Sequence, residues 1–233
     1  HLGLQWVPPE LREDSGEIEA AENDGLPQLM EPSMLKGAFH NHTTASDGTA
    51  TLSQMAVAAQ DLGWEFLGIA DHSQILQIAS GLSPDELIAQ AAEVRVLNEN
   101  WADKGVDFRL FHGNECDILP DGGLDYTDEE RSLLDHVVGS VHQLPTWMKR
   151  DEDVNTEALI RAIENPSLTI LGHPTGRILG GRDGFAVDLH AVLRRMGELN
   201  AEGELKVVEI NASPYRLDLD WRYCRYAKEQ GVP

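Results

Sequence analysis

The stretch Phe39-His40-Asn41-His42-Thr43-Thr44-Ala45-Ser46-Asp47-Gly48 decides how this chain is read. An apolar lead-in places two histidines one residue apart, and in an extended strand positions i and i+2 face the same way. His40 and His42 are therefore expected to grip one metal ion, with Asp47, in a Ser-Asp-Gly turn, within reach of a neighbouring ion. A single His-x-His is weak on its own. It gains weight because other strand-like runs of the chain also end in a histidine or a carboxylate.

The run 65–70 leads into Asp71-His72, 107–111 into His112-Gly113-Asn114-Glu115, 136–141 into His142, and 168–172 into His173-Pro174. A sixth run, 206–210, leads into Asn211-Ala212. Helical patterns lie between them at 52–62, 84–103, 128–134, 156–164, 189–200 and 220–230. Strands alternating with helices indicate a parallel sheet with crossover helices. This many units in one domain favours closure into a (β/α) barrel, whose chemistry sits at the carboxyl ends of the strands. The strands are expected to end at or just before His40, His72, Glu115, His142, His173 and Asn211.

Each candidate has a plainer reading. Glu115 ends an apolar run, where an unpaired carboxylate would be costly. His142 and His173 gain support from their common placement. Asp47 has the alternative of a turn aspartate and His72 that of a cap. His112 stands evenly between ligand and strand-end filler. His136 opens its strand at the opposite end, so packing is its expected role. His190, on an amphipathic helix, and His1, at a terminus, read as solvated. Cys116 and Cys224 lack metal-type spacing and read as reduced thiols.

Together, His40-x-His42, Ser46-Asp47-Gly48, Asp71-His72, Glu115, Gly139-Ser140-Val141-His142 and Gly172-His173-Pro174 resemble the polymerase-and-histidinol-phosphatase (PHP) family. The phrase Val7-Pro8-Pro9-Glu10-Leu11-Arg12-Glu13 resembles the linker entering the PHP module of bacterial family-X DNA polymerases, and Glu209-Ile210-Asn211-Ala212-Ser213-Pro214-Tyr215-Arg216-Leu217-Asp218 is similar to that subgroup's module. The resemblance implies an α/β fold, a distorted (β/α)7 TIM-like barrel, binding two or three divalent ions. It places His40 and His42 on a first ion, Glu115 bridging to a second held by His142 and His173, and Asp47 with His72 on a third. It also implies a divalent-metal-dependent phosphoesterase, with a 3′-to-5′ exonuclease acting on a DNA 3′ end as the first expectation. A free-standing phosphatase on small phosphomonoesters and a structural domain without catalysis are the alternatives. Two departures stand out. Ala38 occupies a position usually acidic in the family, and the family's closing Asp-x-His motif is expected beyond Pro233, together with the last strand.

Imidazole and carboxylate donors suit zinc, manganese or iron(II) better than calcium. A carboxylate bridging two ions sets them roughly 3.5–4 Å apart, the spacing used for phosphoryl transfer. Glu115 and His142 are the expected catalytic ligands. Arg177 is a candidate for neutralising phosphate, with a surface arginine in a Gly-rich loop as its alternative. No Walker loop, dinucleotide fingerprint or Ser-His-Asp set is evident.

With 233 residues, 41% of them hydrophobic, one globular domain is expected over 36–233. Residues 1–35, with Pro8-Pro9 and an acidic run, read as an extended N-terminal linker or arm packed on the barrel; the resemblance implies polymerase domains on its amino side if the chain is part of a longer one. No run approaches the roughly 20 apolar residues of a membrane span and no leader is visible, so the expected location is the cytoplasm. A net charge of −22 repels a phosphate backbone over most of the surface. Nucleic acid would have to approach locally, through metals and arginines such as Arg177 and Arg216.

Overall fold

The computed structural model describes residues 3–233; His1 lies outside the described residues. Two compact units divide the chain at Leu35/Lys36. The first has a 3₁₀ turn at Pro9–Leu11, a short helix α1 (Glu17–Glu22) and a second 3₁₀ turn at Pro32–Met34. Gln5 N donates to Ala21 O at 3.1 Å, and the Arg12 guanidinium lies 5.7 Å from the centre of the Trp6 ring.

The second unit, Lys36–Pro233, runs β1 (Gly37–Asn41), α2 (Leu52–Asp61), β2 (Phe66–His72), α3 (Pro84–Asp103), β3 (Arg109–Asp117), α4 (Asp128–Arg131) and β4 (His136–Ser140). It continues with α5 (Leu144–Trp147), α6 (Glu152–Ile163), β5 (Ile170–Leu171), α7 (Leu189–Ala201), β6 (Val207–Val208) and α8 (Trp221–Glu229). All six strands are parallel and neighbour one another in chain order, forming a curled half-barrel. Three helices open on the same device. Thr51 with Gln54, Ser83 with Glu86, and Thr127 with Glu130 form capping boxes that satisfy orphan amides at each start.

The expected alternation of strand and helix is present, with shifted boundaries. The pattern at 128–134 yields helix only to Arg131, and α6 starts four residues before position 156, its acidic Glu152 and Asp153 lying in the first turn. β5 and β6 contain only two residues each, because the chain turns away as soon as His173 and Glu209 reach the site. β1 carries a register shift between Ala38 and Asn41, and His40 there has φ +65°. This bulge replaces the simple i, i+2 geometry expected of the His-x-His pair.

Side chains alternate across the sheet. The face toward the helices packs the main core, including Leu87, Ile118, Trp147, Leu159 and Leu193, with a second cluster around Leu67, Ile69 and Leu110. The concave face has layers. Phe39, Phe66, Phe111 and His136 meet near the amino ends of the strands, with Phe39 4.8 Å from the His136 ring, edge to face. A Cβ on Gly68 would sit 2.2 Å from Phe39, and one on Gly113 2.3 Å from His136, so both glycines make room for this layer. Ala70, Val138 and Ile170, with Val207 against them, fill the middle. The polar layer lies above them.

Candidate metal centre

Glu115, near the end of β3, is 1% exposed and sits among five imidazoles. Its Oε1 lies 3.0 Å from His40 Nε2, 2.9 Å from His173 Nε2 and 3.2 Å from His142 Nε2. Its Oε2 lies 2.9 Å from His72 Nδ1 and 3.4 Å from His42 Nε2. Asp47 Oδ1 is 2.9 Å from His42 Nδ1, and its Oδ2 is 3.6 Å from His72 Nε2. Seven sequence candidates thus converge, each carried by a strand end or by the turn that follows it.

The surrounding chain fixes these rings. The bulge at His40 turns its imidazole inward, and His40 Nδ1 donates to Glu209 Oε1 at 2.6 Å. The other oxygen of Glu209 accepts from His173 N at 2.6 Å. One carboxylate therefore ties β1 to the chain after β5 across the open side of the sheet. His142 Nδ1 is hydrogen-bonded to Asp117. An imidazole whose Nδ1 donates to a carboxylate presents Nε2 as a lone-pair donor, the usual arrangement around a metal ligand. Buried Asp71 accepts from Thr43 N at 2.7 Å, Ser46 Oγ at 2.5 Å and Gln90 Nε2 at 2.6 Å, and so shapes the loop carrying His42 and Asp47. That loop closes tightly: a Cβ on Gly48 would lie 2.3 Å from His42 O.

Charge balance inside the cluster is tight. Burial opposes protonation of His40, yet the charges and hydrogen bonds of Glu115 and Glu209 raise it to about 10. Burial likewise opposes protonation of His142, and bonds to Asp117 and Glu115 raise it to about 9. His42 is lowered, chiefly by burial, which the charge of Glu115 opposes without reversing. Burial would raise Glu115, but the imidazoles hold it well below the usual carboxylate range. Positive charge is what this cluster requires, whether carried by protons or by metal, and metal binding at such a site releases protons.

The donors fit a metal. His72 Nδ1, although 2.9 Å from Glu115 Oε2, has no hydrogen-bond partner, and buried Asp117 Oδ2 and His173 Nδ1 have none either. Lone pairs aimed past one another suit a shared ion better than direct pairing. Three donor groups are compact enough to hold one: His40, Glu115 and His173; His42, Asp47 and His72; His72, Glu115 and His142. His40 and His42, with rings stacked at 5.4 Å, fall in different compact groups, both of which adjoin Glu115 or His72.

Arg177 is not brought to the cluster. It pairs with Asp220 at 2.5 Å, donates from Nε to Arg216 O at 3.0 Å and also bonds Leu217 O, stapling the 211–220 loop. Instead, Arg182 and Arg216 line the cavity of about 640 Å³ that opens over the histidines. Arg182 gives Nε and Nη2 to Gly176 O. The Arg216 guanidinium has no ion pair among the described residues. His112 faces α3, where Nε2 meets Gln90 Oε1 at 3.2 Å. His190 lies tilted against Tyr223 and edge to face with Tyr226, and Cys116 and Cys224 are free thiols. Among the described residues no helix is long and apolar enough to cross a membrane.

Fold and site together define a parallel α/β protein with a candidate multinuclear metal centre at the carboxyl ends of its strands. The PHP domain family matches residues 38–213, and the chain belongs to that family. It is 38% identical over 232 residues to the DNA polymerase/3′-5′ exonuclease PolX of Bacillus subtilis; the match covers 100% of this chain but only 38% of that protein. A probable phosphatase of Acetivibrio thermocellus is 31% identical over 200 residues, covering 83% of this chain and 74% of the relative. A solved structure named a "putative histidinol phosphatase", from Listeria monocytogenes, shares the fold at TM-score 0.62 and 14% identity, covering 85% of this chain and 92% of that one.

Proposed function

We propose that the chain is a divalent-metal-dependent phosphoesterase and, within that class, the 3′-to-5′ exonuclease module of a family-X DNA polymerase. The observation that carries the reading is the ring of five imidazoles around buried Glu115. The full-length match to PolX supports the finer assignment. The polymerase domains on the amino side, the cytoplasmic location and residues 1–35 as the connecting arm belong to the same proposal. So does the seven-stranded barrel. Val208 N donates to Pro233 O at 3.1 Å, where a seventh strand would pair with β6.

His40, His42, Asp47, His72, Glu115, His142 and His173 would hold two or three ions of zinc, manganese or iron. Such ions supply Lewis-acid stabilisation of a phosphoryl oxygen and a water that ionises near neutrality. The protein's own residues do the rest. Glu209 and Asp117 orient His40 and His142, and Asp71 holds the loop of His42 and Asp47. Arg182 and Arg216 offer positive charge at the cavity wall, which a phosphodiester needs against a net charge of −22.

The test uses the full-length gene product with manganese, a 3′-labelled single strand and p-nitrophenyl phosphate. Release of nucleotides from the 3′ end is expected, and Glu115→Ala should lower it by at least about 10²-fold, the scale for losing key electrostatic stabilisation. Hydrolysis of the small monoester alone would move the assignment to a free-standing phosphatase, a reading favoured by the probable phosphatase relatives. Inactivity on both with metal bound would leave a structural domain. Against that last reading, the seven candidate ligands are all present and converge.

A further inference from the structure

The cavity over the metal centre has a mixed lining. Arg182, Arg216 and Asn211 contribute its cationic and amide groups. Leu76, Ile78, Ala79, Val141, Leu144 and Ile178 supply an apolar lining. Ile78 is 95% exposed, yet its loop is firmly held. Leu76 N donates to Ser73 O at 3.1 Å, Gly81 N to Leu76 O at 3.2 Å, Leu82 N to His72 O at 2.8 Å and Ile75 N to Asp125 Oδ2 at 2.9 Å. A Cβ on Gly81 would lie 1.9 Å from Ser73 O, so the turn cannot open without changing. The loop starts directly after His72, which fixes the aliphatic surface relative to the metal groups. A single exposed isoleucine is ordinary. One held on a stapled loop that lines the cavity over a charged centre, together with Leu76 and Ala79 of the same loop, is a surface for a ligand.

The charges in the lining restrict that ligand. Its carboxylates are Asp47 and Glu115, both in the donor groups. No further lining carboxylate is present to receive an ammonium. The cavity therefore suits an anionic phosphate attached to a flat, neutral group with apolar faces, and it disfavours an amino-alcohol phosphate. Resting on the phosphoesterase reading above, we infer that Leu76, Ile78 and Ala79 form the contact surface for the base of the nucleotide at a strand's 3′ end, with Arg182 and Arg216 facing its phosphate.

Calorimetry on the manganese-loaded full-length gene product tests this with inorganic phosphate, thymidine 5′-monophosphate and histidinol phosphate. Thymidine monophosphate should bind about tenfold or more tightly than phosphate, and histidinol phosphate should not exceed it. Because Ile78 packs against almost nothing, Ile78→Ser should leave folding intact. It should weaken thymidine monophosphate about three- to tenfold, the scale of losing part of one aliphatic contact, and leave phosphate unchanged. Equal affinities, tighter histidinol phosphate, or an Ile78→Ser effect that is absent or shared by phosphate would overturn the base-contact role while leaving a phosphoesterase in place. Failure of all three ligands to bind would bring down the phosphoesterase reading and this inference with it.

Discussion

Histidines line both ends of the concave sheet face, and the two ends use them in opposite ways. At the carboxyl end His40 and His142 face carboxylates and are raised to about 10 and about 9, despite burial. At the amino end His136 packs on Phe39 and Gly113, both ring nitrogens lack partners, and burial lowers it to about 4. The residue type and strand context are alike. What differs is whether a carboxylate stands within hydrogen-bond reach, and that difference separates a metal-type donor from a packing ring.

The comparison breaks most visibly if the carboxylates behind the ligands prove dispensable. Asp117→Asn keeps the shape of the side chain but removes the charge that orients His142. It should weaken metal binding by about 10- to 100-fold, read by competition with a chromophoric chelator. An unchanged affinity would show that His142 is held by packing alone.

The amino end makes the opposite prediction, about acid. With a folded value near 4 against 6.5 for the free ring, the unfolded chain binds the extra proton between those pH values. Stability attributable to His136 should be intact above pH 6.5, decline as pH falls toward 4 and then level off. The loss is about 3 kcal/mol in all. His136→Phe should flatten that part of a urea-denaturation profile while barely changing stability at pH 7. A profile with unchanged slope would contradict the assignment. The smallest effect belongs to His190→Ala, which should leave hydrolysis unaltered, because that ring lies against Tyr223 and Tyr226 on the helical side.

The convergence of the candidate residues was legible in the sequence because most of them follow an apolar run, and such a run ends at the carboxyl edge of a parallel sheet; Asp47, in a polar turn, was marked only by its nearness to His42. The supporting carboxylates were not. Glu209 and Asp117 sit one step of the strand repeat from positions that drew attention, Asn211 and Glu115, and only the curl of the sheet brings Glu209 to His40. The bulge at His40 has no sequence signature of its own, so the His-x-His pair read as part of a regular strand. Arg177 misled for a related reason. In a Gly-rich loop the direction of a side chain is set by local turns, and here those turns send Arg177 to Asp220 and Arg182 to the cavity. The two-residue strands β5 and β6 were visible only as apolar runs whose pairing stops early.

The central claim is that Glu115 gathers metal rather than merely neutralising histidines. Elemental analysis of the full-length gene product, purified without chelators and then offered zinc, manganese and iron(II), tests it most directly. The account predicts two or three divalent ions per chain, falling to at most one in Glu115→Ala. Wild-type protein that retains no divalent ion after being offered all three would contradict it.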